Sequence, residues 1–197
     1  TEVANSPICG GVAAIGPRLF AFNISTDATA VKYSEVDSGA NPPFTTWSVG
    51  ALATDGGLVS YRNAGTARSV VPLGESVVVF SDKGFYSFAI TSIEVGGNLT
   101  KTDQIVTYTE DFGGARGAIS TEKGIFYANE AGLWNLVSVG QPNVPFSKQY
   151  APIAELLGSS FFDNIDPSNG DIVYDQRKNA IYFTAARNSS TNNYVIG

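Results

Sequence analysis

The sequence predicts an all-β protein, a β-propeller-like array of about four antiparallel blades within a larger ring, and three observations carry that expectation. Apolar residues make up 43% of the 197 and charged residues only 15%, enough for one domain with a sizeable core. The 12 Phe, 9 Tyr and 21 Gly, with abundant Val, Thr and Ser, favour short strands joined by tight turns over helices. One plan, strand, turn, apolar middle strand, turn, strand, recurs four times at intervals of about 50 residues, the length of a propeller blade.

The units fall at about 8–62, 63–112, 113–158 and 159–197 of a single domain. In the first, Val12 to Ile15 leads through Gly16-Pro17 into RLFAF (Arg18 to Phe22), then through the polar stretch NISTDAT into AVKYSEV, with LVSY (Leu58 to Tyr61) as a fourth strand. In the second, Ser69 to Val71 passes a Pro72-Leu73-Gly74-Glu75 turn into SVVVF, then a Ser81-Asp82-Lys83-Gly84 turn into FYSFAI, with QIVTY (Gln104 to Tyr108) fourth. The third has strands Gly117 to Ser120, Ile125 to Ala128 and Leu133 to Val137, with turn glycines Gly124 and Gly132 expected at positive φ. The last runs DIVY, a DQRKN turn, AIYFT, a Ser/Asn-rich loop and NYVI. Only AELLG, Ala154 to Gly158, reads as helical.

The middle strands are nearly continuous apolar runs, the pattern of strands buried on both faces. A β-sandwich also joins short strands by regular turns, but it predicts no repeating unit. Propellers have typically about four to eight blades. Four is the low end, and with no Met even at position 1 the expectation is a processed product or part of a longer polypeptide.

The composition excludes several chemistries. There is no His, which removes Ser-His-Asp and Cys-His nucleophile activation and the usual zinc sites. Carboxylate pairs remain, since a glycosidase needs only two acids. The densest acids are Glu110-Asp111 and the group Asp163, Asp166, Asp171 and Asp175, whose DNIDPSNGD context is that of an Asx turn and departs from EF-hand ligand spacing. SDKGFY resembles the Asp-containing turn of sialidase propellers loosely, without its Thr-Trp, and reads as a hairpin turn. The six arginines, Arg18, Arg62, Arg68, Arg116, Arg177 and Arg187, would have to converge to clamp a sugar carboxylate. No catalytic residue, cofactor site or metal site is assigned, and the chain is expected not to be an enzyme.

A formal charge of −6 with scattered cations argues against a surface that grips nucleic-acid phosphates. Cys9 is the one cysteine, so no intrachain disulfide exists, and its expected role is a small buried hydrophobe. No apolar run approaches the roughly 18 residues that span a bilayer as a helix. The sequons at Asn23, Asn98 and Asn188 are no more than chance supplies in so Asn- and Ser-rich a chain. The loop SGANPPFTTW, Ser38 to Trp47, is the candidate assembly contact: Pro42 and Pro43 stiffen it, while Phe44 and Trp47 offer aromatic anchors. The alternative is that both rings tuck back onto their own unit.

Two passages, RLFAFN...AVKYSEVD...FTTW from Arg18 to Trp47 and GARGAISTEKGIFYANEAGLWNL from Gly114 to Leu136, resemble propeller blades of short-tailed bacteriophage tail proteins. The family is that of the tail tubular protein B, or nozzle, and the packaged-DNA stabilisation proteins. Arg18, Tyr33, Ser34, Glu35, Phe44 and Trp47 fit one blade pattern; Ile125, Phe126, Tyr127, Gly132, Trp134 and Leu136 fit another; DIVYDQRKNAIYFT resembles the recurring blade hairpin. The likeness covers about half of the chain, and this chain is far shorter than a full nozzle protein.

The resemblance implies a structural virion protein at the end of the tail channel, assembled in the host cytoplasm as a ring, hexameric in that family. It would contact the tail adaptor ring and tail fibre or spike proteins, retain packaged DNA and take part in genome ejection. An acidic surface suits the non-specific passage of double-stranded DNA, which should not stick to the channel. The rival from another class is a carbohydrate-binding or glycoside-hydrolysing propeller.

Overall fold

The computed structural model describes residues 6–36, 46–109, 117–129, 132–137, 147–149, 165–187 and 192–196. They form four antiparallel sheets in chain order. The first sheet contains β1 (Cys9–Ile15), β2 (Arg18–Ile24), β3 (Asp27–Tyr33) and β4 (Gly57–Ser60). The second contains β5 (Ala67–Leu73), β6 (Ser76–Ser81), β7 (Phe85–Val95) and β8 (Asn98–Thr109). Next come β9 (Ala118–Thr121), β10 (Gly124–Asn129), β11 (Gly132–Leu136) and β12 (Ser147–Gln149). The last sheet has β13 (Ile165–Asp175), β14 (Ala180–Arg187) and β15 (Asn192–Ile196). Every sheet is a meander, each strand pairing with the one before it, and the helical content among the described residues is a single 3₁₀ turn at Arg62–Ala64.

The first strands pack in succession, β1 on β5, β5 on β9 and β9 on β13. Each sheet therefore meets the next through its first strand and its face, the arrangement of blades about an axis. The second sheet shows why its middle strand reads as an unbroken apolar run. Val77 and Val79 of β6, with Tyr86 and Phe88 of β7, pack against Phe20, Val31, Tyr33 and Val59 of the first sheet. The alternate residues Val78, Phe80 and Phe85 pack against Ile125, Tyr127 and Leu136 of the third. The Phe80 and Tyr127 rings lie 4.6 Å apart across that seam, and the Phe20 and Tyr33 rings 5.5 Å apart within the other. A period-2 strand with apolar residues on both faces can be stable only between two such neighbours.

Several turns are tighter than the sequence suggests. NISTDAT is strand except for Ser25-Thr26, with a bulge where Asn23 takes φ 52°. β5 continues through Pro72, tolerated because β5 is the edge of its sheet, so the turn shrinks to Gly74-Glu75. Gly124 has the expected positive φ, 115°. Gly132 opens β11 opposite Asn129, just past the turn. Cys9 is half-buried at the start of β1, more open than a core hydrophobe. Ala154 to Gly158 lie outside the described residues.

Candidate assembly surface

The largest departure from the expected blade lies at the outer end of the second sheet. The sequence suggests strands FYSFAI and QIVTY with a connection between them; instead β7 runs on to Val95 and β8 begins at Asn98. Gly96 and Gly97, at φ 59° and 83°, form the two-residue turn, and positive φ at both central positions is what a type I′ hairpin requires. β6 stops at Ser76, opposite Ala89. The β7–β8 pair thus continues as a two-stranded ribbon for six more residues, about 20 Å. Thr91 through Leu99 are all exposed.

An isolated two-stranded ribbon is marginal in water, and a strap from the first sheet supports this one. The strap is the segment 49–56 that leads into β4. Ala53 N–H donates to Leu99 O at 2.9 Å and Lys101 N–H donates to Ala51 O at 2.7 Å, which sets Leu52 opposite Thr100. Asp55 holds the bend, its carboxylate accepting from Leu52 N–H at 2.8 Å.

Arg18 fixes the strap to the first sheet. Its guanidinium donates to Ser34 O at 2.6 Å, Asp55 O at 2.8 Å and Ala53 O at 2.6 Å. It also lies over the Tyr33 ring, 5.1 Å from the centroid, and Lys101 Nζ sits 5.0 Å from the same ring while donating to Gly56 O. Such carbonyl-binding suits a guanidinium, whose planar fork reaches several acceptors while it stays charged. Ser34 completes the corner: its Oγ accepts from Leu19 N–H at 3.0 Å. Arg18, Tyr33 and Ser34, singled out by the blade resemblance, meet here as a structural unit.

The ribbon's two faces follow from its register. Directly opposed residues in an antiparallel ladder share a face, so Leu52, Thr100 and Ile93 form one row, with Val95 and Thr91 beside it. Leu52 is 49% exposed, Ile93 53% and Val95 55%. Thr91 and Thr102 bridge through their hydroxyls at 2.6 Å. The opposite face carries Ser92, Glu94, Leu99 and Lys101.

Of the residues expected to make contacts, Pro42, Pro43 and Phe44 lie outside the described residues. Trp47 is 5% exposed, beside Thr46, whose carbonyl accepts from Glu35 N–H at 3.1 Å. Its ring is tucked into its own chain and is not presented to a partner. The signal that marks the ribbon in sequence is IEVGGNLT, a Gly-Gly pair between alternating residues.

The charged candidates elsewhere are held in local structure. Arg68 Nε donates to Asp82 at 2.6 Å, and Asp82 also accepts from Thr66 N–H at 3.3 Å. Burial opposes ionisation of Asp82, but the bonds from Arg68 and Thr66 outweigh it and hold the carboxyl below its ordinary range. The Asp27 carboxyl is also lowered, chiefly by the Thr29 hydroxyl, with Arg62 nearby. Burial pushes the Tyr86 phenol upward, and the Asp27 charge adds to the shift. Asp175 Oδ1 accepts from the backbone N–H of Arg177 and Lys178, which makes an Asx turn at the start of DQRKN. The Asx turn expected at DNIDPSNGD does not form: Ile165 to Asp171 belong to β13, with a register shift between Asp166 and Asp171. Among the described residues no three or more His, Cys, Asp or Glu gather to hold a metal. No described helix is long and apolar enough to cross a membrane. Glu110, Asp111, Arg116 and Asp163 lie outside the described residues.

No protein-family model matches the chain, and no curated protein matches it.

Proposed function

We propose that the chain is a structural assembly protein, a part of the tail nozzle or hub of a short-tailed bacteriophage that retains packaged DNA and takes part in its ejection. The observation that supports an assembly role is the ribbon: a braced, exposed β-hairpin with an apolar row along one face, carried on sheets that bury their aromatic residues against each other. Single exposed apolar residues are ordinary, but a row on a projecting hairpin suits a protein contact. The phage setting rests on the blade resemblance of Arg18–Trp47 and Gly114–Leu136, and the ring, hexameric in the family, follows from it.

A carbohydrate-binding or glycoside-hydrolysing role needs arginines or acids presented to a ligand. Arg18 spends its donors on backbone carbonyls and Arg68 is paired with Asp82, which weighs against that role. Native mass spectrometry and electron microscopy of the particle purified with this chain test the proposal. A ring-shaped assembly of many subunits is the expected result. A monomer that binds one class of glycan on an array, or turns over a sialoside, would overturn it.

A further inference from the structure

The ribbon has one edge covered and one open. On β8 the backbone groups of Leu99 and Lys101 point to the strap, so those of Asn98, Thr100 and Thr102 point to β7. Their partners Val95, Ile93 and Thr91 point back, which leaves the N–H and C=O groups of Ser92 and Glu94 directed to the far side. Among the described residues no strand pairs with 91–95 on that side. Protein edges are ordinarily blunted by Lys, Pro or a bulge, yet this edge reads ITSIEV, with a single charge and none of those devices. The chain already completes the ribbon's other edge by adding an extended segment, the strap, that sets Leu52 beside the apolar row.

We infer that the open β7 edge pairs antiparallel with the same edge of a second copy of this chain, about a two-fold axis at Ile93. The inference deepens the assembly reading and rests on it. The self-pairing is complementary at every position. Ile93 meets its counterpart as a pair without mutual hydrogen bonds, the closer-packed kind, and Thr91 meets Val95. Glu94 meets Ser92, so the two carboxylates stay apart in a chain of net charge −6. The row Leu52, Thr100, Ile93 then runs unbroken from one subunit into the next, and the N–H and C=O groups of Ser92 and Glu94 are satisfied across the axis. Such a contact is isologous and turns one subunit over relative to the other, so it joins one ring to a second, while neighbours within a ring meet head to tail through a different interface.

The test uses the full chain by sedimentation equilibrium. Ser92→Pro removes an N–H that faces the open edge and none that bonds β8, so the fold should persist, with an unchanged circular dichroism spectrum, while pairing weakens about tenfold or more. Independently, Ile93→Cys in a Cys9→Ser background should form a disulfide-linked dimer on mild oxidation, since such pairs hold their Cα atoms about 4.5 Å apart, within disulfide reach. A wild-type chain that stays monomeric throughout, Ser92→Pro that folds and associates as strongly as wild type, or Ile93→Cys that gives no linked dimer would each overturn the pairing. Paired rings that form from Ser92→Pro as readily as from wild type would overturn it while leaving the assembly role standing; glycan binding by a monomer would remove both.

Discussion

Replacing Arg18 by Met keeps the aliphatic stem and removes the guanidinium, so it isolates what the three carbonyl bonds do. Arg18 is 5% exposed and Ser34 fully buried, whereas Ala53 and Asp55 are half-buried. Each charge-assisted bond is worth about 1.5–3 kcal/mol net, but water can reach two of the three carbonyls once the guanidinium is gone. The buried Ser34 carbonyl bears the full loss. The expected destabilisation is about 2–4 kcal/mol, or roughly 4–16 °C in Tm for a domain of this size. Arg18→Lys should recover less than half of it, because an ammonium cannot span the same acceptors. Urea denaturation measures the total, and hydrogen exchange locates it. The Ala53 and Lys101 amides, which bond strap to ribbon, should exchange faster, while the amides between β6 and β7 change only with global stability. A loss below about 1 kcal/mol with unchanged exchange at Ala53 and Lys101 would refute the role of Arg18 as the strap's anchor.

Gly124→Ala should lower stability by about 2–3 kcal/mol, since φ is 115° and a Cβ would stand 2.5 Å from Leu136 O and 2.7 Å from Asn135 Oδ1. The oxygen belongs to a paired backbone and cannot retreat; a change within about 0.5 kcal/mol in urea denaturation would contradict this. Asp27 and Asp82 both have lowered folded-state pKa values, so the folded chain binds fewer protons there than the unfolded chain. Their contribution is present above the ordinary carboxyl range near 4 and is lost as pH falls through the folded values. Asp82→Asn should therefore flatten the decline of the urea midpoint below about pH 4, and an acid limb as steep as wild type would contradict it.

The features determined by the sequence alone are those set over a few residues. Gly16-Pro17 and Asp175 to Asn179 are turns because their backbone preferences are local, and SVVVF is a doubly buried strand because period-2 apolar residues on both faces require neighbours on both. The length of the β7–β8 ribbon was also there to be read in IEVGGNLT, but its mixed polarity, with neither face fully buried, imitates a loop. Other features required the tertiary structure. Nothing near Arg18 in the chain indicates that its acceptors are carbonyls as distant as Ala53 and Asp55, which become neighbours only after β3 and β4 pair. Trp47 illustrates the same dependence, since an aromatic residue in a polar loop can face a partner or its own chain, and only the folded structure shows it buried, 5% exposed beside the Glu35–Thr46 backbone bond. The open edge at Ser92 and Glu94 is likewise a property of sheet order, fixed by β6 ending at Ser76 while β7 continues.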